Sequence, residues 1–186
     1  MAGGFARFVL KVLGWKTSGD MAPAGRVLYL FAPHTSIWDF VPGFFYIRSQ
    51  GHRVNVMIKK EAFFFPLGAL LRAMGGFPID RSNPKATLVS IIHAMEKTGG
   101  RPFQLAVCPE GTRKAIKKWK TGYHTIARSC NAHVWLAFVD YRTRTVGVYP
   151  EEIILTDDAR ADTDRIQKIY ASMNLTALHP EGFTAG

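Results

Sequence analysis

Short apolar runs rich in β-branched residues recur along the chain, and longer segments with helical periodicity separate them. The runs predict buried strands at 27–32, 54–58, 104–108, 134–139 and 146–149. Helices are predicted at 38–49, 61–74, 83–97, 123–130 and 163–174. Strands that alternate with helices predict an α/β fold, with a single domain in which helices flank a mostly parallel central sheet.

The first twenty residues form an amphipathic segment, and residues 21–186 are expected to form the domain, which closes with an acidic C-terminal helix. Four apolar residues recur at helical spacing in the segment: Phe5, Phe8, Val9 and Val12. Such a helix either anchors the protein at a membrane surface or packs on the domain, and the pattern favours neither. The apolar runs are shorter than the about 18 residues of a membrane-spanning helix, so none is predicted.

Charge is distributed unevenly along the chain. The 186 residues include 24 Lys and Arg against 14 Asp and Glu. Residues 1–150 hold 21 of the basic and 7 of the acidic residues, which leaves 3 and 7 in residues 151–186. A basic body predicts an anionic partner, which charge alone leaves open between nucleic acid, an anionic membrane and phosphorylated small molecules. A hydrophobic fraction of 47% excludes an intrinsically disordered chain.

Cysteine and histidine spacing gives no metal or disulfide motif. Cys108 and Cys130 are too few for a disulfide framework, which favours a reducing compartment. No metal site is therefore predicted.

The segment after the first predicted strand contains His34 and Asp39. Five residues apart, they can meet only if His34 lies in the loop and Asp39 in the first helical turn, with Ser36 as the N-cap. His34 could then be a general base that Asp39 orients. On spacing alone, a capping carboxylate and an unrelated loop histidine explain the pattern better.

Two further segments hold candidate phosphate-binding residues: one follows a predicted strand, and the other, 75–81, is predicted as a short strand that ends in a charged pair. Glu110, Gly111, Thr112 and Arg113 follow strand 104–108, and a glycine turn beside an arginine suits phosphate, although an ordinary polar loop has the same composition. Segment 75–81 ends at an arginine that could bind phosphate or pair with the preceding aspartate at the surface.

In order and separation, the three motifs resemble those of the glycerolipid acyltransferases of the lysophosphatidic acid acyltransferase (PlsC-like) family. That family has a His-x4-Asp motif, a Gly-x-x-Phe-x-x-Arg block and a Glu-Gly-Thr-Arg block, which correspond here to 34–39, 75–81 and 110–113. Residues 119–123 resemble the family's Phe-Lys-x-Gly segment, and the resemblance covers 26–150. This chain departs from the family at Pro33 and Lys114, and in lacking a proline within 133–139.

The resemblance implies an O-acyltransferase that moves a fatty acyl group from acyl-CoA or an acyl carrier protein thioester to the hydroxyl of a lysolipid, without a bound cofactor. It favours 1-acylglycerol-3-phosphate as the acceptor, giving phosphatidic acid. A lyso-aminolipid such as lyso-ornithine lipid is the alternative acceptor, and a non-catalytic peripheral membrane-binding protein is the alternative function. His34 and Asp39 would be catalytic.

The resemblance also implies which residues bind the substrates. Glu110, Gly111, Thr112 and Arg113 would form the acceptor site, and Arg81 and Arg113 would hold its phosphate. A basic cluster beside them is interpreted as a patch for donor or lipid phosphates, or else as a solvated helix face: Lys114, Lys117, Lys118 and Lys120.

A peripheral position on the cytoplasmic face of an anionic membrane is expected, with contact around 63–71, because Phe63–Phe65 on one helix could not all face one core. Nucleic acid is not expected as a partner, since the basic cluster holds one aromatic residue, Trp119.

Overall fold

A seven-stranded sheet forms the centre of the computed structural model, which describes residues 2–23, 25–80, 82–99 and 101–185. The strands are β1 (Lys16–Ser18), β2 (Arg26–Ala32), β3 (Asn55–Lys59), β4 (Gly76–Ile79), β5 (Phe103–Val107), β6 (His133–Asp140) and β7 (Thr145–Glu152). Their order is β1-β7-β6-β2-β5-β3-β4, and only the β6–β7 pair is antiparallel. The predicted single α/β domain with a mostly parallel sheet is confirmed.

Six helices accompany the sheet in the described residues: α1 (Ala2–Val12), α2 (Phe40–Ser49), α3 (Leu67–Ala73), α4 (Pro84–Glu96), α5 (Gly122–Cys130) and α6 (Ala159–Ser172). Short 3-10 turns lie at Ile37–Asp39, Lys60–Ala62 and Pro180–Gly182.

The central strand β2 is buried on both faces, as its apolar sequence predicts. Val27 and Tyr29 face the core beneath α1 and α2, whereas Leu28 and Leu30 face the core beneath α4, α5 and α6. This alternation follows from the two-residue period of a strand.

Two predicted helices have wrong boundaries. The helix expected over 61–74 begins only at Leu67, because Pro66 has no N–H for a helical hydrogen bond, and Phe63–Phe65 lie in the turn before it. The last helix begins at Ala159 rather than 163, because Asp158 caps it by accepting hydrogen bonds from the N–H groups of the second and third residues that follow.

Helix α1 packs on the domain through the face opposite its predicted apolar stripe. Ala6 and Leu10 are buried, and the Arg7 guanidinium donates a hydrogen bond to the Ser49 carbonyl at 3.0 Å. The stripe itself stays exposed at Phe5, Phe8 and Val12. Within the described residues, no helix has the length and apolar character needed to cross a bilayer.

Helix α6 packs on the sheet, and one of its side chains also hydrogen-bonds to two central strands. The buried Tyr170 hydroxyl shares its one proton between the carbonyls of Leu30 and Ala137, on β2 and β6. The chain after α6 returns to the edge where β2, β5 and β6 end, since the Thr176 N–H donates to Asp140 at the end of β6. In parallel sheets, the loops at this carboxyl edge form the ligand-binding sites.

Candidate active site

The loop that follows β2 brings His34 and Asp39 together. His34 lies in the loop, and Asp39 ends the 3-10 turn that leads into α2. Their side chains face each other with 3.5 Å between Nδ1 and Oδ2, an ion-pair distance that is longer than a hydrogen bond. The Asp39 side chain is 1% exposed, whereas 27% of the His34 side chain reaches solvent. The histidine is therefore open to a substrate while the carboxylate is not.

Two backbone N–H groups fix the Asp39 carboxylate. Thr35 and Ser36 each donate to Oδ2 at 2.8 Å, and the Ser36 hydroxyl accepts from the Trp38 N–H at 3.2 Å. This reciprocal arrangement is a capping box, with Ser36 as the N-cap as the spacing predicted. The Asp39 oxygen that caps the turn therefore also faces His34.

Tyr141 holds the other oxygen of Asp39. Its hydroxyl donates to Oδ1 at 2.9 Å from the residue directly after β6. The Trp15 ring packs edge-on against the tyrosine, with 5.2 Å between ring centroids. Burial raises the pKa of Tyr141, and the adjacent Asp39 charge raises it further, so the hydroxyl stays protonated and donates.

Glu110 reaches the same loop from β5. Its Oε2 accepts a hydrogen bond from the His34 backbone N–H at 3.0 Å, and the residue is 3% exposed. Burial raises its pKa to about 8; the His34 N–H opposes this shift and the Asp39 charge adds to it. The raised pKa favours the protonated carboxyl of Glu110 at neutral pH. Its Oε1 is buried and has no hydrogen-bond partner among the described residues.

The rest of the predicted acceptor motif forms an exposed turn. Gly111 has a φ of +68°, in the left-handed region that favours glycine. The Thr112 hydroxyl accepts from the Lys114 N–H at 3.3 Å. Arg113 is exposed, and within the described ranges its guanidinium has neither an ion pair nor a hydrogen bond. Its charge is available to an anion.

The basic cluster is an irregular loop, so its interpretation as a helix face is wrong. The four lysines 114, 117, 118 and 120 are all exposed, whereas Trp119 is 2% exposed and packs in the core. Helix α6 binds the backbone of this loop: Gln167 donates to the Lys117 carbonyl and Arg160 to the Trp119 carbonyl. The cluster therefore has no exposed tryptophan for stacking a base.

One predicted residue, Arg81, lies outside the described residues. The preceding Asp80 forms an ion pair with Lys60, with 2.6 Å between Nζ and Oδ2. Lys60 and the Ser82 hydrogen bonds hold the pKa of Asp80 well below its usual range.

Sequence reasoning missed Tyr141 because it is not part of any motif. Its position after a strand parallel to β2, at the same edge as His34, is the signal that could have found it. In the parts of the chain that the structure describes, no three His, Cys, Asp or Glu side chains group as metal ligands do.

The sheet and its carboxyl-edge site define an α/β protein with a histidine supported by a buried carboxylate. A family model described as Acyltransferase matches residues 16–151, which is most of the chain. The chain therefore belongs to this acyltransferase family, and it is an acyltransferase. It is also similar to the crystal structure of the 1-acyl-sn-glycerophosphate (LPA) acyltransferase PlsC from Thermotoga maritima. The TM-score is 0.60 at 12% identity, over 92% of this chain and 76% of that one, which shows a common fold. The comparison with curated proteins gives no match.

Proposed function

We propose that this acyltransferase moves a fatty acyl group from acyl-CoA or an acyl carrier protein thioester to the hydroxyl of a lysolipid, with 1-acylglycerol-3-phosphate as acceptor. The observation that carries the proposal is the pairing of a partly exposed His34 with a buried Asp39 across 3.5 Å. A buried, three-times hydrogen-bonded carboxylate suits an imidazole that gains charge during the reaction.

In the proposed reaction, His34 acts through Nε2, because Nδ1 faces Asp39. Nε2 takes the proton of the acceptor hydroxyl as that oxygen attacks the thioester carbonyl carbon. The resulting tetrahedral oxyanion re-forms the carbonyl and expels the thiolate, which takes the proton from the imidazolium. The products are the new ester and the free thiol, and Asp39 stays ionised throughout.

We propose that Glu110–Arg113 bind the acceptor, with Arg113 on its phosphate. Arg113 is an exposed guanidinium, and a guanidinium can grip phosphate through two hydrogen bonds. Arg81 is a second candidate by sequence. The exposed lysines 114, 117, 118 and 120 are suited to the phosphates of lipid or donor.

A peripheral position at the cytoplasmic face of an anionic membrane follows from the same proposal, because a lysolipid acceptor resides in a bilayer. The turn and helix after β3 expose Phe64, Phe65 and Leu70, of which Phe65 is 93% exposed. On α1, Phe5, Phe8 and Val12 are exposed beside Arg7 and Lys11. Apolar side chains flanked by cations bind anionic bilayer surfaces.

The proposal is tested by product identity. The purified protein is incubated with acyl-CoA or acyl carrier protein thioester and either 1-acylglycerol-3-phosphate or lyso-ornithine lipid, and lipids are identified by mass spectrometry. Phosphatidic acid as the main product supports the acceptor assignment. If only lyso-ornithine lipid is acylated, it replaces 1-acylglycerol-3-phosphate as the acceptor. If neither acceptor is acylated, the proposed function is refuted.

A further inference from the structure

The last described residues cross the edge of the sheet that carries the candidate site. Residues 176–185, here called the C-terminal strap, follow α6 and lie outside the range 16–151 that the family model matches. We infer that the C-terminal strap positions the His34 loop against the Glu110–Arg113 turn. The inference rests on the proposed acyl transfer and gives the end of the chain a role in it.

The C-terminal strap begins at the loop that holds Tyr141. The Thr176 N–H donates to Asp140 Oδ1 at 3.0 Å, and the Tyr141 N–H donates to the Thr176 carbonyl at 2.8 Å. Asp140 is the last residue of β6, and the Tyr141 hydroxyl holds Asp39. One end of the strap is therefore fixed beside the catalytic carboxylate.

The middle of the strap binds the His34 loop directly. The His179 N–H donates to the Thr35 hydroxyl at 3.2 Å, and the Thr35 N–H donates to Asp39 Oδ2 at 2.8 Å. Thr35 is 7% exposed and lies next to His34 in the chain. It thus links the strap to the carboxylate that His34 faces.

Gly182 shows how closely the strap approaches both loops. A Cβ added there would lie 2.8 Å from the Arg113 carbonyl oxygen and 3.1 Å from Thr35 Cγ2. The first distance is shorter than van der Waals contact between carbon and oxygen allows, so backbone would have to move. The strap backbone fills the space between the two loops, and a glycine is needed for it to fit.

The far end of the strap is fixed to the basic loop. The Trp119 indole N–H donates to the Thr184 carbonyl at 3.3 Å, and the Trp119 and Phe183 rings lie 6.4 Å apart. Ala185 is buried in the core. With both ends attached, the middle of the strap is held over the site, and a displacement of His34 by about 1 Å can cost about 100-fold in rate.

The test uses full-length Gly182→Ala, with Gly25→Ala as the matched control. Gly25 precedes β2 at the opposite edge of the sheet, and nothing lies within 4 Å of its added Cβ. Thiol release from acyl-CoA with 1-acylglycerol-3-phosphate gives kcat and KM, and hydrogen exchange follows a peptide covering 33–39.

We expect kcat of Gly182→Ala to fall about tenfold or more, with KM for the acyl donor changed by less than about threefold. Exchange of the Thr35 and Ser36 amides is expected to quicken, while that of β2 stays as in the wild type. Gly25→Ala is expected to match the wild type in kcat, in KM and in hydrogen exchange over 33–39. Wild-type kcat or unchanged exchange over 33–39 in Gly182→Ala overturns the inference.

Should Gly182→Ala fail to fold, Thr35→Val and Thr35→Ser replace it, because only serine keeps the acceptor for the His179 N–H. Loss of kcat in the valine variant with recovery in the serine variant supports the strap, and equal activities overturn it. A wild type that transfers no acyl group refutes the proposed function instead, and the exchange comparison still tests the strap.

Discussion

The Tyr141 hydroxyl donates a hydrogen bond to Asp39 Oδ1 across 2.9 Å, between residues that are 102 positions apart in the chain. The parallel pairing of β2 and β6 creates this contact, because both strands end at the same edge. Two backbone N–H groups satisfy Oδ2, and Tyr141 satisfies Oδ1. Hydrogen bonds therefore fix both oxygens of the carboxylate, and Oδ2 also faces His34.

Tyr141→Phe is expected to lower kcat about tenfold and to leave KM for the acyl donor nearly unchanged. A hydrogen bond to a charged group contributes about 1.5–3 kcal/mol, and two backbone donors remain on Asp39. Steady-state kinetics measure both constants. Tyr149→Phe is the control, since this tyrosine lies on β7 and shares no hydrogen bond with Asp39. Equal kcat in the wild type and both variants would mean that Tyr141 does not position Asp39.

Glu110→Gln is expected to remove a pH dependence of stability. The native carboxyl titrates at about 8 instead of the usual 4.5, so between these values the native state binds more protons than the unfolded state. The free energy of unfolding of the wild type therefore falls as pH rises through this window and levels above it. Glutamine keeps the acceptor for the His34 N–H without titrating.

Thermal unfolding at a series of pH values checks the Glu110 prediction. The Tm of Glu110→Gln minus that of the wild type should increase between about pH 5 and about pH 8. Above about pH 8 this difference should stay constant. The exposed Glu151→Gln serves as a control that should follow the wild-type curve. Parallel curves for wild type and Glu110→Gln would contradict a raised pKa at this residue.

Arg113→Gln is expected to raise KM for 1-acylglycerol-3-phosphate about 10- to 100-fold, because it removes charge-assisted hydrogen bonds to the phosphate. KM for the acyl donor should change little. Arg101→Gln makes the same change just before β5, at the opposite edge of the sheet, and should leave both constants as they are. An unchanged acceptor KM in Arg113→Gln would place the phosphate elsewhere.

Phe64→Asp combined with Phe65→Asp is expected to reduce flotation with anionic vesicles strongly, while the exposed apolar residues of α1 retain part of the binding. Burying each phenylalanine contributes about 1.5–3 kcal/mol, and the new charges repel the bilayer. Val89→Asp is the control, and it adds one charge elsewhere on the surface. Val89 lies on α4 and is 65% exposed, which is close to the 61% exposure of Phe64. Flotation should survive in the control. Undiminished flotation of the double variant would exclude this turn as a membrane contact.

Strand β2 was predictable because burial on both faces leaves an apolar run that local sequence shows directly. The start of the helix expected over 61–74 was less predictable, because the apolar pattern is helical throughout but Pro66 moves the start to Leu67. Strand β1 was not predicted at all. Its three residues are exposed, and they are a strand only because β7 pairs with them.

In the candidate site, the sequence could place His34 and Asp39 because they share one loop whose geometry follows from helix-capping rules. It could not reveal that Glu110 binds the His34 backbone or that Tyr141 binds Asp39, because those contacts depend on which strands are neighbours. The role of Gly182 was hidden for the same reason. Its contacts with Thr35 and Arg113 arise only once the chain end has folded over the sheet.

Thiol release from the acyl thioester in the presence of a lysolipid shows whether His34 is the base of the acyl transfer. Wild type and His34→Ala are compared at equal concentration, with His52→Ala as the control, since His52 bonds Gln104 away from the site. We predict that His34→Ala loses about 100- to 10,000-fold of the rate while His52→Ala retains it. Equal lysolipid-dependent thiol release by the wild type and His34→Ala would mean that His34 is not the base.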